Sequence, residues 1–113
     1  MRNDTKQAAK NIAQILEISE KCVRYDDREK VYVIENCVSE NNFEVIKFDK
    51  DIKFDNLLNY PLKFHKCEFL ESVDGYEKQF RHKLIFTNVT FKKILNLAFS
   101  IFNNEIFFFQ CYI

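Results

Sequence analysis

The chain has 113 residues, with 17 basic and 17 acidic side chains and a formal net charge of zero. This balance argues against a nucleic-acid surface, or attraction to anionic lipid, as the main driving force for binding. Apolar residues make up 47% of the chain and include 13 phenylalanines, which supply enough apolar surface for one domain with its own core.

Features that address a protein to a compartment are absent from this sequence. The N-terminal residues are polar and are not followed by the apolar stretch of a signal peptide. Fully apolar runs, such as Ile106 to Phe109, are far shorter than the roughly 20 residues of a spanning helix. Four cysteines occur without a C-x-x-C pair, which is typical of small buried thiols in a reducing compartment. We therefore expect a cytoplasmic protein with no transmembrane segment.

The first predicted element is an amphipathic helix from about Thr5 to Val23. Ala8, Ile12 and Leu16 lie near one stripe of this helix, and polar residues occupy the remainder. The segment that follows, from Arg24 to Lys30, alternates charges of both signs and is predicted to be a solvated loop. The same loop reading is favoured over an acidic catalytic pair formed by Asp26 and Asp27.

Residues from Lys30 to Asn59 resemble diverged copies of a repeat that becomes regular further along the chain. Tyr32, Ile34 and Cys37 echo its first three apolar slots, and Phe43, Ile46 and Phe48 echo its last three. We expect short strands with irregular corners here. The chain has a single glycine, which suggests corners built without many left-handed residues.

From Leu62 onward the chain repeats a pattern of eleven residues five times. The copies begin at Leu62, Val73, Leu84, Leu95 and Ile106. Apolar slots fall at offsets of zero, two, five and seven from each start, and among these slots only Gly75, Lys78 and Ser100 are not apolar. Spacing by two places both side chains of a pair on one face of an extended segment, whereas a helical repeat would use other offsets. Each copy therefore predicts two short strands with a corner between them.

The odd steps between pairs reverse the face that points inward, so a corner must absorb each reversal. Two consecutive copies would then make one rectangular turn and return the chain above its starting point. This predicts four interior columns of stacked side chains: Leu62, Leu84 and Ile106; Phe64, Phe86 and Phe108; Cys67, Val89 and Cys111; Phe69, Phe91 and Ile113.

In this pattern the chain resembles the pentapeptide-repeat family, whose chains wind as a right-handed four-sided β-helix. The best copies are Leu62–Phe69 and Leu84–Phe91. Their phenylalanines match the central family position, and Leu62, Cys67, Leu84 and Val89 match the position two before it. The resemblance covers roughly the last half of the chain and is to the Phe-rich branch spaced by eleven. The chain departs from the family pattern in a sixth residue per repeat and at Gly75 and Lys78.

The resemblance implies a mainly β fold, a right-handed four-sided β-helix. We expect the N-terminal α-helix to be its cap, because the open end of a solenoid would otherwise expose apolar side chains and unpaired backbone groups. We expect the helix and loop to occupy residues 1–27 and the β-helix residues 28–113. Within the β-helix, coils 28–61 are predicted to be irregular and repeats 62–113 regular.

Catalytic, cofactor and metal motifs do not emerge from the sequence. Nucleophile elbows, phosphate-binding glycine loops and H-E-x-x-H are absent. His65 and Cys67 are one residue apart, but no second pair of ligands stands nearby, so a solvated histidine beside a core cysteine is favoured over a metal site. We predict a protein that is not an enzyme and that has no cofactor.

The informative residues lie on the outward positions of the last repeats. Earlier copies carry polar residues there, but the last copies carry Phe99, Ile101, Phe107, Phe109 and Tyr112. Soluble monomers rarely expose so many large apolar groups together. One interpretation is a truncated member of a longer family, and the other is an interface that binds a protein partner, a second copy through the C-terminal edge, or a membrane surface.

The favoured function is therefore a protein-protein interaction module without enzymatic activity. The alternative is a DNA-mimicking inhibitor or protector of gyrase or another topoisomerase, a role that the family resemblance implies. Family members with that role use a strongly acidic wall. Residues 62–113 hold seven basic and five acidic side chains, so the charge disfavours the alternative.

Overall fold

The computed structural model of the chain describes residues 2–113. Within this range the fold is mainly β and contains one α-helix, α1 (Arg2–Leu16), one short 3-10 helix (Glu20–Cys22) and thirteen strands. The first six strands are β1 (Val23–Asp26), β2 (Val31–Ile34), β3 (Asn36–Ser39), β4 (Asn42–Glu44), β5 (Ile46–Phe48) and β6 (Ile52–Lys53). The remaining seven are β7 (Leu62–Phe69), β8 (Val73–Asp74), β9 (Gln79–Phe80), β10 (Leu84–Phe91), β11 (Leu95–Asn96), β12 (Ile101–Phe102) and β13 (Ile106–Phe109). The mainly β class with an N-terminal helix is confirmed.

The N-terminal helix is shorter than the predicted Thr5–Val23. It ends at Leu16, after which Glu17 adopts a left-handed φ of 56°. The backbone N–H of Ile18 donates to the carbonyl of Ala13 over 3.0 Å, so one terminal carbonyl of the helix is satisfied. The apolar stripe of the helix is buried in the main core. Among residues 2–113 no helix is long and apolar enough to cross a bilayer.

The charged segment after the helix is a strand and a turn, and the predicted solvated loop is wrong. β1 pairs antiparallel with β2, which sets Tyr25 opposite Tyr32 with their rings 4.9 Å apart. The carboxylate of Asp26 accepts the backbone N–H of Arg28 over 2.9 Å and thereby stabilises the turn. The cross-strand aromatic pair and the antiparallel ladder outweigh the charge pattern that indicated a loop.

Parallel strands carry the fold from one repeat pair to the next. Leu62 of β7 lies opposite Leu84 of β10, and Leu84 lies opposite Ile106 of β13, so each residue pairs with its equivalent two repeats along the chain. A second sheet joins β6, β8 and β11 in parallel, and β9 pairs with β12 in parallel. These registers confirm the predicted pairing of residues two repeats apart.

The irregular first part of the chain follows the same ladder with one insertion. Tyr32 and Ile34 of β2 lie opposite Leu62 and Phe64, and Ile46 and Phe48 of β5 lie opposite Cys67 and Phe69. The predicted equivalence of these four residues is confirmed. Between β2 and β5 the strands β3 and β4 form an antiparallel hairpin that has no counterpart in the later repeats.

Cys37 is not part of the ladder that was predicted for it. It pairs with Phe43 inside the β3–β4 hairpin and is exposed. The prediction failed because the spacing of Tyr32, Ile34 and Cys37 matches the repeat by chance. The insertion begins directly after Ile34, so the true third slot is Ile46.

Left-handed residues mark every repeat, although none of them is glycine. They occur at intervals of eleven, at Lys66 (φ 55°), Glu77 (52°), Asn88 (52°), Phe99 (57°) and Gln110 (52°). The expectation of few left-handed corners was therefore wrong. In β7 and β10 this residue falls between the two apolar pairs, and the ladder passes over Lys66 and Asn88. One left-handed residue thus restores the inward face after an odd step.

Stacked phenylalanines fill the interior. The rings of Phe64 and Phe86 are 5.4 Å apart, and those of Phe86 and Phe108 are 5.1 Å apart, each pair being nearly parallel. Phe69 and Phe91 stack in the same way at 5.3 Å. Phe64, Phe69, Phe86 and Phe91 belong to the same core as the apolar residues of α1. The stacked rings therefore pack β7, β10 and β13 against one another.

Gly75 and Lys78, the two departures in the second repeat, have different structural reasons. A Cβ atom on Gly75 would lie 2.8 Å from Leu97 Cδ2 and 2.9 Å from Phe80 Cζ, which is too close for a side chain. The φ of Gly75 is not positive, so the position requires space rather than backbone freedom. Lys78 reaches Asp55, with 3.2 Å between Nζ and the carboxylate.

The phenylalanine column predicts a gradient of stability. Phe86 is fully buried between two rings, so Phe86→Ala should lower the free energy of unfolding by about 3–5 kcal/mol. Phe108 is 40% exposed and contacts a ring on one side, so Phe108→Ala should cost clearly less. Urea unfolding followed by circular dichroism measures both. A larger loss for the Phe108 variant would contradict the stacking order.

The left-handed positions predict an unusual response to glycine. Glu77→Gly should raise the free energy of unfolding by about 0.5–1 kcal/mol, since relief of the left-handed penalty exceeds the entropy cost of glycine. The control is Lys53→Gly, at an exposed strand position with ordinary φ, which should lower it by about 0.5–1 kcal/mol. Thermal or urea unfolding of both variants decides the point, and equal losses would be the contrary result.

Candidate functional site

The five outward apolar residues that the sequence singles out are all exposed. Phe99, Ile101, Phe107, Phe109 and Tyr112, which we call the C-terminal apolar surface, have between 50% and 81% of their area accessible. The exposure of Phe107 and Phe109 follows from the alternation of β13, which directs Ile106 and Phe108 toward the core and Phe107 and Phe109 away from it.

These five residues belong to two different sheets. Phe107 and Phe109 lie on β13, where their rings stack 6.3 Å apart on the outer face. Ile101 lies on β12, which pairs with β9 in a separate two-stranded sheet. Tyr112 bridges to Thr90, so it follows the same coil as β13. The structure thus brings Phe107 and Phe109 into contact, and Ile101 with Phe99 lines a shallow groove on the neighbouring wall.

Phe99 is the least expected member of the C-terminal apolar surface. It occupies a left-handed position, where bulky residues are rare, and it is 81% exposed. The equivalent residues of the other repeats are Lys66, Glu77, Asn88 and Gln110, all polar. Its ring makes an edge contact with Tyr76 at 5.7 Å, and this is the ring contact that holds it. A strained and exposed phenylalanine is unfavourable for folding, so the presence of Phe99 at this position requires an explanation other than stability.

Three further apolar residues near this surface escaped the sequence analysis. Phe102 and Phe108 were assigned to the interior, yet both are partly exposed, because their outer ring faces have no coil above them. Ile94 is exposed directly before the apolar slot of Leu95. Ile94 lies outside the apolar slots of the repeat, so the repeat pattern assigned it no role. In the structure it lines a groove together with Asp51, Val73 and Tyr76.

Ile113 was predicted to complete the fourth interior column and does not. The column is present at Phe69 and Phe91, whose rings stack, but Ile113 is 89% exposed. The bridge between Thr90 and Tyr112 keeps the same register between repeats. The pairing register therefore extends to Tyr112, but Ile113 is not buried, because burial also requires side chains packed against its outer side.

Charge is sparse in the last repeats of the sequence, although Glu77 and Lys78 line the same groove as Phe99 and Ile101. From Ile94 to Ile113 the one charged side chain is Glu105. The ion pairs of the chain lie earlier, for example between Lys93 and Glu71 at 2.8 Å and between Lys63 and Glu29 at 2.7 Å. Contact of an uncharged surface with Phe107 and Phe109, on the uncharged strand β13, would therefore meet little electrostatic opposition and little desolvation cost.

His65 and Cys67 do not converge on a common point. Burial raises the pKa of the Cys67 thiol, which donates to the carbonyls of His65 and Ile34. The His65 ring instead lies 2.7 Å from the hydroxyl of Thr87 and packs edge-on against Phe43. Among residues 2–113 no three side chains of the His, Cys, Asp and Glu types are arranged to hold a metal ion.

Asp26 and Glu29, two of the acidic residues near the first turn, make structural contacts, and Asp27 between them is exposed. Backbone hydrogen bonding from Arg28 is the main reason that the pKa of Asp26 is lowered. Glu29 accepts from Lys63 through its carboxylate and from Lys83 through its backbone carbonyl. These contacts account for the charges without a catalytic role.

Comparison with family models, with characterised proteins and with solved structures found no match to this chain. The C-terminal apolar surface is therefore judged on its geometry and chemistry.

His65 predicts a pH dependence of stability. Burial is the main cause that lowers the pKa of this imidazole, with Lys63 and Lys66 acting in the same direction and Glu35 opposing them. The folded chain therefore resists a proton that the unfolded chain accepts, and stability should fall as the pH drops below about 6.5. Urea unfolding at pH 7.5 and pH 5.5 should show a smaller loss for His65→Gln than for the wild type. His82→Gln, at an exposed site, should keep the full loss, and an unchanged loss in His65→Gln would refute the assignment.

Proposed function

We propose that the chain forms a right-handed four-sided β-helix of the pentapeptide-repeat type, with α1 as its N-terminal cap. The parallel registers between residues two repeats apart support this architecture, as does the left-handed residue in every repeat of eleven. The family resemblance in Leu62–Phe69 and Leu84–Phe91 points the same way. Burial of Ile12 and Leu16 against the first coil supports the capping role of α1.

On this fold we propose a cytoplasmic protein-protein interaction module without enzymatic activity. The observation that carries the proposal is the C-terminal apolar surface, whose five large side chains are exposed and belong to a stretch, residues 94–113, with Glu105 as its one charged side chain. Protein interfaces place apolar and aromatic groups at their centre and deplete charge there. Earlier strands have polar outward residues such as Lys63 and Thr87, so exposed aromatic and aliphatic side chains are concentrated in the last repeats, with smaller exposed residues such as Val38 elsewhere.

Phe99 supports the proposal because it is unfavourable for the folding of this chain but would be favourable for binding a partner. A polar residue or glycine would relieve the left-handed strain and remove an exposed ring. A binding role explains why a phenylalanine stands there. Rigid aromatic rings are the side chains most often found to dominate binding energy at interfaces. Phe99 is therefore proposed as one anchor of the contact, with Phe107 and Phe109 as a second.

A membrane surface and a topoisomerase are weaker alternatives. Attachment to anionic lipid relies on clusters of basic side chains beside the apolar ones; residues 94–113 contain none, and Lys78 in the groove of Phe99 and Ile101 is accompanied by the opposite charge of Glu77. Mimicry of DNA relies on an acidic wall, and the same residues contain only Glu105. No feature of the C-terminal apolar surface favours either alternative over protein binding.

The proposal is tested by the mass of the protein in solution. An uncharged apolar surface of this kind should self-associate, so light scattering after size exclusion should give a mass that rises above the monomer with concentration. The double variant Phe107→Ser/Phe109→Ser should stay monomeric, because both rings are outward and their loss leaves the core intact.

The matched control is Val38→Ser, which removes an exposed apolar side chain from the β3–β4 hairpin and should associate like the wild type. Circular dichroism checks that all three proteins are folded. A wild-type protein that remains strictly monomeric at high concentration would count against contact through this surface.

A further inference from the structure

The outer edge of β13 repeats a feature that earlier strands use to bind the next coil. The backbone N–H of Tyr32 donates to the carbonyl of Pro61, that of Leu62 to Lys83, and that of Leu84 to Glu105, each over about 2.9–3.0 Å. Ile106 occupies the next position in this register. Its N–H therefore points to the open side of β13, and by the alternation of a parallel strand the N–H of Phe108 points the same way.

Side chains on the same edge also repeat a binding feature. Phe86 receives a stacked ring from Phe64 on one side and from Phe108 on the other. Phe108 has a ring partner below and is 40% exposed. Backbone donors and an aromatic face with free area thus lie side by side at Ile106 and Phe108. Together they match what each lower strand offers to its parallel neighbour.

A second folded copy does not supply the strand that this edge fits. The pairing of β2, β7, β10 and β13 is parallel throughout. In a second copy the opposite end of this sheet is β1, which runs antiparallel to β2 and is covered by α1. Two copies that meet through β13 across a twofold axis would pair antiparallel. A parallel addition therefore requires a separate extended segment.

We propose that β13 binds an extended, uncharged segment of a partner protein as one more parallel strand. The segment carries an aliphatic residue over Ile106 and, two residues later, an aromatic residue over Phe108. Main-chain hydrogen bonds to the open edge provide affinity, and the alternate side chains provide selectivity. The single charge of residues 94–113 favours a segment without charge.

This inference goes beyond the interaction module proposed above, because it uses a different part of the molecule. The C-terminal apolar surface consists of outward side chains, including Phe107 and Phe109. The strand site consists of the inward residues Ile106 and Phe108 and the free edge of their backbone. Variants on the outward face can therefore remove self-association while they leave the strand site in place.

The probe is a synthetic peptide with the sequence of residues 84–91, Leu-Ile-Phe-Thr-Asn-Val-Thr-Phe, with one lysine at each end for solubility. Its first and third residues satisfy the aliphatic and aromatic requirements, as Leu84 and Phe86 do on β7. Binding is measured to the full chain carrying Phe107→Ser/Phe109→Ser, so that association between copies does not obscure it. A control peptide carries the change Phe86→Asp.

We expect saturable binding by fluorescence anisotropy, with about tenfold weaker binding of the control peptide. Amide hydrogen exchange should slow at Ile106 and Phe108 and stay unchanged at positions 107 and 109, whose N–H groups face β10. A spin label on the N-terminus of the peptide should broaden signals near Ile106 more than those near position 109, as parallel pairing requires.

Absence of protection at Ile106 and Phe108, or a spin label that broadens the other end of β13, would overturn the inference. Protection that rises with protein concentration in the absence of peptide would also overturn it, since a second copy would then cover the edge. None of these results bears on self-association through the outward rings, which is tested separately by solution mass.

Discussion

In-register parallel pairing of residues two repeats apart is the constraint on which the rest of this structure depends. Because β7, β10 and β13 pair in register, a paired side chain has its equivalent two repeats along the chain as its neighbour. Leucine then lies beside leucine and phenylalanine beside phenylalanine, and a substitution in β10 alters its contacts with both β7 and β13. The hydrogen bonds between paired strands impose this order, and the phenylalanine rings stabilise it by stacking and by burying apolar area.

This constraint explains why much of the fold could be predicted from the sequence. Columns such as Leu62 with Leu84 follow from spacing alone, since extended chains alternate faces and odd steps need a corner. The positions of Ile46 and Phe48 were also accessible, because their spacing survives the divergence of the first coils. The hairpin after Ile34 was not accessible. An insertion carries no periodic signal, and the chance match of Cys37 concealed where it begins.

The left-handed backbone at the corners and the exposure of Phe108 and Ile113 could not be predicted from the sequence, for two different reasons. Residue type is a weak guide to left-handed φ when the ladder imposes it, and Lys66, Glu77 and Phe99 adopt it without being glycine. Exposure of the candidate surface was predicted correctly because it depends on alternation along a strand. The exposure of Phe108 and Ile113 depends on what lies above them, which periodicity does not describe.

The two ends of the main sheet have opposite chemistry, and the contrast limits how the protein can assemble. At β1 the ladder changes from parallel to antiparallel, and α1 covers the apolar residues behind it. A coil from another copy therefore meets no matching edge there. If both ends offered a parallel edge, copies would add head to tail and form an open filament. Because β1 is antiparallel to β2, the strand that we propose to bind at β13 would find no equivalent parallel site at β1. The antiparallel start of the sheet would thus allow binding at β13 without head-to-tail assembly of copies.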